Sequence, residues 1–124
     1  MSRASPLPPS GECSNGPYIL FFDSGSARIR PADRKTLRDG VKWARVCGPA
    51  RWEVWGHTDT SEPANLSRKR ALVVRAYLES RGVPHRLIHI EALGATRQRV
   101  QTPPATREPQ NRRVEVTLGP PGAR

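Results

Sequence analysis

The sequence is poor in the residues that build large or specialised sites. Aromatic residues make up 6% and hydrophobic residues 35% of its 124 positions. That suffices for one domain with a single modest core. There are two cysteines, Cys13 and Cys47, too few for a disulfide-built scaffold. Their separation also lacks the paired spacing of a zinc site, though it permits one bridge in an oxidising compartment. No apolar run is long enough to cross a bilayer. The first residues lack the charged start, apolar stretch and small-residue cleavage site of a signal peptide. The expectation is therefore either a cytosolic protein or a chain whose export signal lies outside it.

Acidic residues are also scarce, 11 against 21 basic ones, which gives a formal charge of +10 and a pI near 11.2. Such a balance attracts polyanions: nucleic acid, anionic lipid or acidic cell-wall polymer. Eighteen of the basic residues are arginines, scattered without a block and with little aromatic interleaving. That pattern is poor for a nucleic-acid groove, so no nucleic-acid partner is expected. Prolines and glycines concentrate at the ends and in 94–110. Residues 1–16 and 119–124, with almost nothing to bury, read as tails around a domain spanning 17–118.

Within that domain the hydrophobic pattern alternates between periods. Residues 17–23 (PYILFFD) are apolar on both faces and predict a buried strand. Pro31 suits a first helical turn, and Leu37, Val41 and Ala44 recur at helical spacing up to Gly48-Pro49. A second strand is expected over 51–57, a second helix over 65–81 with Gly82 behind it, a third strand over 86–93, and a last one over 112–118. The order βαβαββ at this length predicts an α+β two-layer sandwich, with helices on one face of a four-stranded sheet.

The second helix contains an anomaly. At 100° per residue from Leu66, Val73 lies at about −20°, Tyr77 at about 20°, Val74 at about 80° and Leu78 at about 120°, and Arg70 falls among them at about 40°. A guanidinium keeps its proton, so burial demands acceptors, and its place near the helix N-terminus is also disfavoured by the helix dipole. Two explanations follow. Arg70 pairs internally with a carboxylate and ties loop to helix, or it receives an anionic ligand. Asp59 and Glu62 are the nearby acids, on the connection from the second strand. An Asp and an Arg at such a place can also hold a zwitterion, the Asp taking an ammonium and the Arg forking onto a carboxylate.

Three segments carry a resemblance. Gly56-His57-Thr58-Asp59, then Leu66-Ser67-x-x-Arg70-Ala71, then Asn111-Arg112-Arg113-Val114-Glu115, resemble the OmpA-like C-terminal domain found also in peptidoglycan-associated lipoprotein and MotB. Phe21-Phe22-Asp23-Ser24 and the proline-led helix fit as well. The resemblance implies a mixed sheet with the last strand antiparallel. It further implies non-covalent binding of peptidoglycan through the diaminopimelate of the stem peptide. Asp59 would hold its amino group and Arg70 a carboxylate, with Thr58, Thr60, Asn65 and Asp23 around them and Asn111 and Arg112 bordering the pocket or bracing the last strand. A periplasmic, cell-envelope location is implied too.

The segment 60–65 departs from the family pattern. It is about four residues shorter, with Glu62 where a glycine is usual and Pro63 in an asparagine position unless Asn65 substitutes or simply caps the helix. The alternatives are therefore a fold that has lost its ligand and serves as a protein-interaction domain, or a basic nucleic-acid module. The strongest enzyme reading pairs His57 with Asp59 and needs a third group from His89 or Glu91. No spacing supports it, so neither catalysis nor a metal or cofactor is expected.

Overall fold

The computed structural model describes residues 15–48 and 50–119. Cys13 and Pro49, and most of both expected tails, lie outside them. Strands β1 (Tyr18–Phe21), β2 (Arg51–Gly56), β3 (Ile88–Ala92) and β4 (Arg113–Gly119) form one sheet in the order β1-β4-β2-β3. β4 runs antiparallel to both β1 and β2, while β2 and β3 are parallel. Helices α1 (Pro31–Cys47) and α2 (Leu66–Ser80) pack on the face carrying Trp52 and Val54. The expected α+β sandwich with its mixed sheet is the one observed.

The alternation of Val114, Val116 and Leu118 places β4 in the middle of the sheet, all three buried against the helices. β1 corrects the expectation of a strand buried on both faces. It is an edge strand of four residues in which Leu20 alone is fully buried. Phe22, just past its end, turns into the core, while Arg99 stacks on Phe21 at 5.7 Å. Residues 15, 16 and 119 also belong to the fold rather than to tails: Leu118 N–H donates to the Asn15 carbonyl at 2.9 Å, and Gly119 pairs with Arg51. The third strand is shorter than expected, because residues 85–87 form a turn of 3₁₀ helix.

α2 ends in a Schellman arrangement. Val83 N–H donates to Leu78 O at 3.1 Å and Gly82 N–H to Glu79 O at 3.0 Å, with Gly82 at φ +96°. Its buried stripe is Leu66, Ser67, Arg70, Ala71, Val74 and Leu78. Val73 and Tyr77 sit at the margin, so the stripe centres on Val74 and Arg70 remains inside it.

The start of α2 is drawn onto the end of β2 at Gly56. A Cβ there would stand 2.0 Å from Ser67 O and 2.9 Å from Ser67 C. Such a contact with backbone cannot be relieved by a rotamer change. Gly56→Ala should therefore push α2 off the sheet and cost the upper end of about 1–3 kcal/mol in urea unfolding. A loss under about 0.5 kcal/mol would show that the helix start moves freely. This close approach brings Arg70 over the shared C-terminal edge of β1, β2 and β3, where ligands of α/β sheets commonly bind.

Candidate functional site

Three segments converge at that edge: 22–26 after β1, 57–62 after β2, and the first turns of α2. His57 N–H donates to Arg113 O and Thr58 N–H to Gly94 O, both at 2.9 Å, so the chain stays pinned on both sides past the end of β2. It then turns sharply. Asp59 Oδ1 accepts from Ser61 N–H at 2.9 Å and Ser61 Oγ at 2.7 Å, an Asx-type turn that sends Glu62 back toward α2.

Arg70 is 0% exposed, and all five of its N–H donors are taken. Nε donates to Ser26 O at 2.8 Å, and Nη1 and Nη2 donate to the carbonyls of His57 and Asp23 at 3.0 and 3.3 Å. The remaining two form a fork onto Glu62, Nη1 to Oε1 at 2.7 Å and Nη2 to Oε2 at 2.6 Å. The guanidinium also stacks on Phe22, 5.2 Å from the ring centre. Of the two explanations open for this residue, internal pairing is the one observed, and the partner is Glu62 rather than Asp59. The Glu62 side chain is 3% exposed. It accepts two further bonds, from Asp59 N–H at 3.1 Å and Gly25 N–H at 2.8 Å. Four donors thus surround one carboxylate.

Asp59 is likewise 0% exposed. Its Oδ2 accepts from Glu108 N–H at 3.0 Å and Arg112 Nη1 at 3.1 Å. Burial pushes its carboxyl pKa up, but the bonds from Ser61, Glu108 and Arg112 outweigh that and hold it below the usual aspartate value. Arg112 also donates Nε to Phe22 O at 3.0 Å, tying β4 to the end of β1.

The remaining expected residues fall into distinct places. Thr60 joins the 60–65 segment to the long loop, donating to Pro103 O at 2.8 Å and accepting from Thr106 N–H at 2.9 Å. Asn111 is buried and organises that loop, accepting from Arg99 and Val100 N–H and donating to Val100 O. Thr58 is buried and its hydroxyl has no partner among the described residues. The side chain of Asp23 is exposed and bridges Arg30 at 2.7 Å, which lowers its pKa, while its carbonyl serves Arg70. Asn65 precedes α2, exposed, and makes no side-chain cap. Its carbonyl rather than its amide serves the helix, accepting from Arg68 N–H at 3.2 Å.

His57 is 2% exposed, and neither ring nitrogen has a partner among the described residues. Burial, then the nearby Arg113, brings its pKa down to about 4. His89 instead pairs with Glu91 at 2.6 Å, both half exposed on the face of the sheet away from the helices. Among the described residues no three His, Cys, Asp or Glu side chains gather as a metal site would require.

The group that sequence reasoning undervalued is Glu62. The signals were present: an arginine that needs acceptors, and an acid eight positions before it in place of a glycine.

The chain belongs to the OmpA family, whose pattern it matches over residues 21–112. It is 37% identical to an outer membrane protein of Gluconacetobacter diazotrophicus, over 82% of this chain and 29% of that one. It is 33% identical to the peptidoglycan-binding protein ArfA of Mycobacterium tuberculosis, over 94% of this chain and 40% of ArfA. The chain thus spans half or less of the length of such relatives, the lipoprotein YiaD of Escherichia coli included at 50%. The fold superposes on the peptidoglycan-associated lipoprotein of Burkholderia pseudomallei with a TM-score of 0.72 at 21% identity, covering 82% of this chain and 89% of that one. For the C-terminal domain of Helicobacter pylori MotB the values are 0.71 and 20%, covering 86% and 88%.

Proposed function

We propose that this OmpA-family domain binds peptidoglycan non-covalently through the diaminopimelate of its stem peptide, and so holds an envelope protein to the cell wall. The observation that carries the reading is the carboxylate receptor itself: a buried guanidinium fork flanked by the N–H groups of Gly25 and Asp59. In this reading a diaminopimelate carboxylate takes the place of Glu62 on Arg70, and Asp59 takes the amino group. Thr58, Thr60, Asn65 and Asp23 surround the way in, and Asn111 and Arg112 brace it from the turn that precedes β4. Both principal groups are closed over, so segment 60–65 moves outward on binding. Family relatives named for peptidoglycan binding support the ligand class. Cys47 is disulfide-bonded, which supports an oxidising location such as the periplasm.

The test is sedimentation with purified sacculi. The domain should pellet with walls whose stem peptide contains diaminopimelate, and free diaminopimelate should release it. Walls with lysine at that position lack the second carboxylate and should retain far less. Retention that diaminopimelate leaves unchanged would overturn the reading. One observation favours a second reading: Glu62 already saturates Arg70. A domain permanently closed in this way would act through protein contacts, and would not pellet with sacculi at all.

A further inference from the structure

Glu62 is held as a ligand is held. Its two oxygens accept four hydrogen bonds, two from the Arg70 fork and one each from the Asp59 and Gly25 amides. These donors come from three separate elements: α2, the chain after β2, and the loop after β1. The Asx-type turn at Asp59 and the proline at 63 fix the path that delivers the carboxylate. A surface ion pair needs none of this.

We propose that Glu62 is an internal ligand that occupies the domain's carboxylate site, so that an external carboxylate reaches Arg70 only by displacing it. Tethering gives the Glu62 carboxylate a high effective concentration at Arg70, far above that of a free ligand. Glu62 therefore sets the affinity of the site, and it discriminates against ligands that offer a single carboxylate and no further contact. That the natural competitor is diaminopimelate rests on the function proposed above; the occupancy does not.

Truncation supplies the test. Glu62→Ala removes four non-hydrogen atoms, a methylene and a carboxylate, which is the atom content of acetate. Sodium acetate should raise the melting temperature of Glu62→Ala by about 5 °C or more over sodium chloride at equal ionic strength. The parent protein and Glu62→Gln, whose sites remain filled, should respond equally to the two salts. If Glu62→Ala folds poorly, the same comparison is made on its refolding yield. An acetate effect absent from Glu62→Ala, or equal in all three proteins, would overturn the proposal.

Calorimetry with diaminopimelate separates this inference from the functional reading. At least tenfold tighter binding to Glu62→Ala than to the parent supports both. Acetate rescue without diaminopimelate binding to either protein sustains the internal ligand and sinks the proposed wall ligand. Equal binding to both proteins does the reverse.

Discussion

Arg70→Met should melt roughly 12–24 °C below the parent protein, a loss of about 3–5 kcal/mol. Methionine approximates the length of the side chain but supplies no donors. The Glu62 carboxylate would then be a buried charge with only two amides, and the carbonyls of Ser26, His57 and Asp23 would each lose a donor. For a domain of this size that is a large share of the total stability. Glu62→Gln should cost somewhat less, about 2–4 kcal/mol: the amide oxygen still accepts and Arg70 keeps its three carbonyls, but the amide nitrogen faces two donors and the buried guanidinium loses its counter-charge. The double variant should be more stable than the sum of the single losses predicts, since the charge that Arg70→Met strands is then gone. Urea unfolding of the four proteins closes the cycle. A loss below about 1 kcal/mol in Arg70→Met would mean that the network contributes little to folding. This result governs how wall-binding variants are read: an Arg70 variant that fails to pellet with sacculi is informative only if its fold is shown intact.

Much of the fold could be read from residue order, because its causes are local. Pro31, Gly48 and Gly82 mark helix limits through backbone geometry alone, and the alternation in β4 announces a strand with one buried face. The burial of Arg70 followed from helical angles, and its need for acceptors from the permanence of its charge. The order of strands in the sheet did not follow from such signals. Both faces of β1 are apolar, which reads as burial, but it is an edge strand whose outward Phe21 is met by the guanidinium of Arg99. Asn65 has the chemistry of a cap, yet its backbone is already helical at φ −68° and ψ −12°, and its side chain caps nothing. Asp59 has the position of a ligand group, yet its oxygens are used by Ser61, Glu108 and Arg112. Two of those partners lie some fifty residues away, and no local pattern reports them. Glu62 was visible as a departure from the family but not as an occupant. Its destination depends on a turn that only the folded Asp59–Ser61 pair defines.

Acid should weaken the domain through His57 before it reaches the range in which Asp59 titrates. His57 in the unfolded chain takes up a proton near pH 6.5, whereas in the folded protein it does so only near pH 4. Between these values the unfolded state binds one more proton than the native state, so stability rises with pH across the window and is lost on descending through it. The full difference amounts to about 3 kcal/mol, most of it gone by pH 4.5. Burial is the main cause, and the cations of Arg113 and Arg97 add to it. Asp59 acts lower. Its folded pKa is depressed, so its stabilisation is intact above the ordinary value of 3.8 and disappears only as pH falls through the folded value. The two residues therefore occupy separate parts of an acid profile. His57→Phe keeps a ring in the buried position and removes the titrating group. Its urea midpoint should change little between pH 7 and 4.5, while that of the parent falls steadily. Parallel slopes in the two proteins would remove His57 as the cause and shift attention to the carboxylates.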